Sequence, residues 1–176
     1  MNDRPPAPGG LALVESLVNS LDIETGADRL GTAEGRAAFG LAEHEVPAAR
    51  TLREALRTAC LAHAGVHPRG RSTAALDGLL AEAPLRVAVD PAGGVALRPA
   101  AAPDALLSRV AAAIAEASAD GTWHRLKACE AEDCQWAFYD RSPAGRGRWC
   151  SMSVCGARAK MRAYRARLTD GGATPH

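Results

Sequence analysis

The chain has 176 residues, 47% of them hydrophobic but only 4% aromatic, and a formal charge of +1. That length suits one medium domain plus a small appendage, with a core built mostly of alanine, leucine and valine. No apolar run approaches the roughly 20 residues of a membrane span, and the polar start MNDRPPAPGG has no apolar stretch of the signal-peptide kind, so a cytoplasmic protein with reduced thiols is expected.

Residues 1–10 are expected to be a disordered leader. LALVESLVNSL then sets Leu11, Val14, Leu17, Val18 and Leu21 on one helical stripe. Thr32 suits the cap of a short helix carrying Ala37, Ala38 and Leu41. Pro47 suits the first turn of a longer helix with Leu52, Ala55, Leu56, Ala59, Cys60 and His63 on one side, ending near Gly65. Ser72 reads as the cap of a helix that turns Leu76, Leu79 and Leu80 inward and stops at Pro84. LRVAVD-PAGG-VALRP reads as a β-hairpin. Pro103 opens a further helix with Leu106, Leu107, Val110, Ile114 and Ala117 inward, ended by Asp120-Gly121. Residues 11–122 therefore predict a mostly helical α+β domain with a small sheet.

The charge is unevenly distributed. Residues 1–140 carry a balance of −6, whereas residues 141–168 hold eight Lys/Arg and no acid. Such bipolarity points to an anionic partner for the basic end, nucleic acid first, or to docking of that end on the acidic body.

Four of the five cysteines, Cys129, Cys134, Cys150 and Cys155, fall as C-x4-C, fifteen residues, C-x4-C. Two close pairs separated by a hairpin-sized segment suit a tetrahedral Zn²⁺, one pair per turn, with disulfides and unliganded buried thiols as the alternatives. WAFYD reads as a strand and RSPAGRG as a turn between the pairs, with Trp136 and Phe138 as a small core. Four thiolates leave no open position for water, so such a site is structural and supplies most of the folding energy of its segment. Lys127, Arg148, Arg158 and Lys160 lie near enough in sequence to offset its charge of −2. Cys60, alone on an apolar helix face, reads as a buried hydrophobe.

Beyond Gly156 a helix is expected, with Ala157, Met161, Tyr164 and Leu168 as an apolar stripe that packs on the zinc ribbon or the body. Its remaining surface is cationic and of a width that enters a DNA major groove; a solvated charged face is the plain alternative. The residues expected to face DNA are Arg148, Arg158, Lys160, Arg162, Arg165 and Arg167. Residues 169–176 are expected to be a disordered tail. No enzyme is expected: His44, His63, His67 and His124 are scattered, Gly65 and Pro68 break the His63/His67 helical spacing, and Asp140 reads as a turn residue.

Within residues 129–168, CEAEDCQWAFYDRSPAGRGRWCSMSVCGARAKMRAYRAR resembles the CGNR zinc finger, with its F-Y-D-x-S strand and turn, R-W-C-S-M, and C-G-N-R-x-K. GLALVESLVNSL, RTLREALRTA and the hairpin at 85–98 are similar to the ABATE domain that precedes such fingers. The resemblance implies one structural zinc held by the four cysteines, Arg158 and Lys160 as the signature basic pair, a stress-induced transcription regulator that binds DNA, and an N-terminal domain that senses a small-molecule ligand. A homodimer reading two half-sites is also compatible. Two departures stand out. Ala157 replaces the family Asn, which removes a side chain able to cap the second cysteine turn or touch DNA, and Ser16-Leu17 stands where the family has Asp-Phe.

Overall fold

A computed structural model describes residues 4–170. It shows an α+β fold of six helices and two small antiparallel sheets among the described residues. The helices are α1 (Leu11–Val18), α2 (Ala33–Ala37), α3 (Val46–His63), α4 (Ala74–Ala81), α5 (Leu106–Ala119) and α6 (Ala157–Asp170). The strands are β1 (Leu85–Val89) paired with β2 (Val95–Pro99), and β3 (Leu126–Ala128) paired with β4 (Ala137–Tyr139).

The helix signals act as their chemistry dictates. Thr32 Oγ1 accepts from Gly35 N at 3.0 Å and caps α2, a contact worth about 1 kcal/mol. Pro47 lies in the first turn of α3, where its missing N–H costs nothing. Ser72 accepts from Ala74 N at 3.1 Å, but the capping position of α4 belongs to Thr73. α3 is the central rod, burying Leu52, Leu56, Ala59, Cys60 and Leu61 against α1, α4 and α5. α1 and α5 approach closely: a Cβ on Gly10 would lie 2.6 Å from the Ala113 Cβ, so only glycine fits there.

The hairpin β1–β2 keeps Leu85, Leu97 and Pro99 half-buried at its base, where β2 meets α5. Toward its tip Val87, Val89 and Val95 face solvent.

The segment read as a disordered leader is placed in its described part. Ala7 is buried and its N–H donates to Glu15 Oε2 at 2.6 Å, while Arg141 donates to the carbonyls of Pro5 (3.0 Å) and Pro6 (2.8 Å). Two prolines and a buried alanine give this stretch restricted backbone and a core anchor, which polarity alone does not register. Residues 1–3 and 171–176 lie outside the described residues; of the expected tail, residues 169 and 170 continue α6.

The finger is not a separate bead. Leu126, Ala128, Ala137 and Tyr139 of β3 and β4 are buried in the same hydrophobic core as the helices. The alternate residues of this small sheet point the other way, and Phe138 joins Cys129, Ala131, Cys150 and Cys155 in a second cluster with Trp136 and Trp149. One two-stranded sheet therefore seals two cores, through the period-2 alternation of a strand. Among the described residues no helix is long and apolar enough to cross a membrane.

Candidate metal centre and its basic helix

Cys129 leaves β3, and Cys134 ends the turn that follows. The Cys134 and Gln135 amides both donate to Ala131 O, at 2.9 and 3.0 Å, and Cys129 N donates to Trp136 O at 2.9 Å. Cys150 precedes a π-helical turn, Met152–Gly156, that contains Cys155 and is closed by Gly156 N donating to Ser151 O at 3.0 Å. The four sulfur atoms all lie within 4.8 Å of one another, with Cys134 to Cys150 at 3.6 Å and Cys150 to Cys155 at 3.7 Å. Tetrahedral zinc with Zn–S bonds of about 2.3 Å requires sulfur–sulfur edges of about 3.8 Å. The donor set thus fits one zinc ion, held entirely by protein ligands. Disulfides do not fit: these separations are far longer than the ~2 Å of an S–S bond.

The sulfurs also act strongly on one another. Hydrogen bonds from Cys134 and Cys150 pull the Cys129 thiol far below its ordinary value. The same contacts with Cys129 push Cys134 up to about 12 and hold Cys150 far up, and burial raises Cys155. Four adjacent thiolates are compatible only around a divalent ion. Cys60 lies elsewhere, fully buried on α3, where desolvation pushes its thiol up to about 12.

The basic residues near the cysteines serve carboxylates instead. Lys127 Nζ donates to Asp140 Oδ2 at 3.1 Å in a buried pair and to the carbonyls of Gly145 and Gly147. Asp140 also accepts from Ser142 N (3.0 Å) and Gly147 N (2.6 Å). Burial alone would raise this carboxyl, but the bonds from Ser142, Gly147 and Lys127 hold it well below the usual carboxylate range. The cluster fixes the turn that returns the chain to the second cysteine pair. Arg148 Nε donates to both Glu130 oxygens, at 2.8 and 2.7 Å, while Glu130 N donates to Arg148 O at 3.1 Å. Arg148 therefore latches one cysteine turn to the other, with its guanidinium over Trp149. Arg158 pairs with Glu24 of the body at 3.1 Å, in an exposed contact. Of the four side chains expected to offset the sulfur charge, Lys127, Arg148 and Arg158 thus pair directly with carboxylates, and Arg158 also feels the charge of Cys155.

α6 starts at the metal centre and then leaves the protein surface. Its apolar stripe does not pack on the ribbon or the body: Met161, Tyr164 and Leu168 are 50%, 55% and 61% exposed. The helix begins after the last cysteine, so only its first turn lies within reach of folded neighbours. Lys160, Arg162, Arg165 and Arg167 are all exposed on it, and among the described residues Lys160 and Arg162 form no ion pair. Of the six residues expected at DNA, Arg148 and Arg158 are thus paired with Glu130 and Glu24, and Lys160, Arg162, Arg165 and Arg167 lie exposed on α6.

Arg57 and Asn19, which the sequence does not single out, and His63, expected on the inward side of its helix, tie the finger to the body. Arg57, fully buried on α3, donates to Val18 O and Gln135 O, each at 2.8 Å, and to Glu54 at 3.2 Å. Asn19 exchanges two hydrogen bonds with Ala137, and His63 Nδ1 donates to Leu126 O at 2.7 Å. Nothing in the spacing marks Arg57, which sits beside the apolar stripe as a solvent-facing arginine would.

A metal-binding module fused to the core of a helical domain defines a zinc-finger protein with four thiolate ligands. Comparison with protein families is specific: residues 125–168 match the CGNR zinc finger, and residues 11–121 match the ABATE family, described as "Putative stress-induced transcription regulator". The chain belongs to the ABATE family and carries a CGNR zinc finger after the ABATE region. No curated protein matches the chain.

Proposed function

We propose that this protein is a cytoplasmic, non-catalytic transcription regulator whose zinc centre presents α6 to DNA. The observation that carries the reading is α6 itself. It is a basic helix rooted at the metal site, exposed from Lys160 to Leu168, in a segment with no acid from residue 141 to 168. A helix whose charges serve only solubility mixes signs along its surface; residues 157–168 carry no acid. Lys160, Arg162, Arg165 and Arg167 supply phosphate contacts, with Arg158 recruited by exchange of Glu24, since exposed ion pairs are worth only ~0–1 kcal/mol. The test is duplex-DNA binding across salt concentrations. Four to five phosphate contacts give a slope of log K against log[salt] near −4; a flat dependence, or no binding at low salt, rejects the reading.

In the body, Leu41, Ala49, Leu52, Leu79 and Leu106 line a groove of about 370 Å³ with Glu45 and Glu82 among its polar groups. Its size suits a small, largely apolar effector.

A second reading is favoured by the exposed stripe. Ala157, Met161, Tyr164 and Leu168 follow the 4-3-4 spacing of a coiled-coil seam, flanked by Arg158 and Arg165 on one side and Lys160 and Arg167 on the other. Pairing two copies would oppose like charges, so this surface suits an acidic amphipathic helix better than a second copy. Light scattering separates the outcomes: a concentration-dependent dimer that ignores DNA would replace the DNA reading with self-association.

A further inference from the structure

We propose that Arg57 is a positioning residue for the metal centre, setting the zinc affinity of the finger from within the ABATE body. It acts through the peptide that follows a ligand. Gln135, next to Cys134, has φ +47°, a left-handed conformation that L-residues with a side chain avoid. Its carbonyl accepts from Arg57 Nη1 at 2.8 Å. The guanidinium cannot follow if the peptide swings away, because its other nitrogens are held by Val18 O at 2.8 Å and Glu54 at 3.2 Å in a fully buried site. Two residues on, Asn19 holds both backbone groups of Ala137. The exit of the first cysteine turn is therefore clamped by the body at 135 and 137, with ligand Cys134 immediately upstream.

The consequence for the metal is preorganisation. With Arg57 in place, the exit of the turn that carries Cys134 is held by the body, so zinc binding has less of the turn to order. Without it, Gln135 relaxes to negative φ and the peptide carrying Cys134 rotates. Contacts that orient ligands change metal affinity roughly ten- to a hundredfold. The inference rests on the structural zinc site and is independent of DNA binding.

The experiment measures zinc affinity of the full chain by competition with a chromophoric chelator, beside thermal unfolding. Arg57→Lys keeps the charge but loses the fork geometry. It is expected to weaken zinc binding at least ~10-fold and to lower the unfolding temperature. Glycine holds a left-handed backbone without help. Gln135→Gly in the Arg57→Lys background should therefore restore most of the zinc affinity while leaving the unfolding temperature low. Wild-type affinity in Arg57→Lys, or a loss that Gln135→Gly does not restore, overturns the proposal. Should Arg57→Lys fail to fold, zinc stripping of the wild-type chain reads the reciprocal coupling. Amides of α3 from Arg53 to Leu61 should then lose protection against hydrogen exchange about tenfold, and unchanged protection overturns it equally.

Discussion

Asn19 and Ala137 are joined as two strands would be. Ala137 N donates to Asn19 Oδ1 at 2.7 Å, and Asn19 Nδ2 donates to Ala137 O at 2.9 Å. A side chain just past the end of α1 thus completes the free edge of β4, across 118 positions of sequence. Together with Arg57 and His63 it makes the body and the finger one hydrogen-bonded structure.

Replacing Asn19 with alanine leaves two backbone groups of β4 without partners. The expected cost is about 2 kcal/mol, seen as a lower urea midpoint with an unchanged slope. Asn19→Asp should cost at least as much, because a carboxylate oxygen then faces the Ala137 carbonyl. A neutral Asn19→Ala would mean that the contact is not made in solution.

A chain cut near residue 123 should not fold as a stable ABATE domain. The cut removes Leu126, Ala128, Ala137 and Tyr139 from the main core and the carbonyl partners of Arg57 and His63. Zinc removal, or Cys150→Ser, should likewise lower the stability of α1–α5 and not only that of the finger, because metal binding is folding energy for everything packed on it. Far-ultraviolet circular dichroism during chelation reads this directly. Loss of the finger signal alone would show two independent units.

The Lys127–Asp140 pair predicts a defined acid response. The folded Asp140 carboxyl lies well below its unfolded value of ~3.9. Its contribution is therefore complete above that value and is lost as the pH falls through it toward the folded value. Stability should drop below about pH 4, and Asp140→Asn should flatten that part of the curve. Lys127→Met strands a buried carboxylate at a cost of about 3 kcal/mol at neutral pH. Glu15 runs the other way: burial raises its carboxyl, so its contribution declines as the pH rises through the folded value, and Glu15→Gln should be tolerated at pH 7.

Charge substitutions should separate latch from phosphate contact. Lys160→Ala and Arg162→Ala should each reduce the DNA salt slope by about 1 without changing zinc content. Arg148→Ala should chiefly lower finger stability, since its guanidinium is committed to Glu130. Gel-shift titrations at several salt concentrations, with metal analysis of each variant, check both. Equal salt slopes for Lys160→Ala, Arg162→Ala and wild type would remove α6 from the interface.

Local chemistry was legible. The Thr32 cap, Pro47, the apolar stripes of α1, α3 and α5 and the Pro/Gly hairpin act over a few residues, and each lies where its pattern predicts; the cap of α4 is one residue on from Ser72, at Thr73. Long-range contacts were not. Arg57 and Asn19 look like ordinary surface residues, because hydrogen bonds to distant carbonyls leave no periodic trace. The described part of the expected leader is ordered for a related reason: Arg141, far along the chain, holds the carbonyls of Pro5 and Pro6, and Ala7 joins the main core.

By itself the sequence determined the four-thiolate ligand set, because spacing and residue type suffice to specify a tetrahedral soft-metal site, and it determined that the basic charge is concentrated beyond residue 140. Only the tertiary structure decided which arginines are engaged and which are presented, since that depends on the carboxylates and carbonyls that folding brings within about 3 Å. It also decided that domain and finger share a core. The alternation of two three-residue strands turns one face to the helices and the other to the metal, and neither face can be buried without its partner.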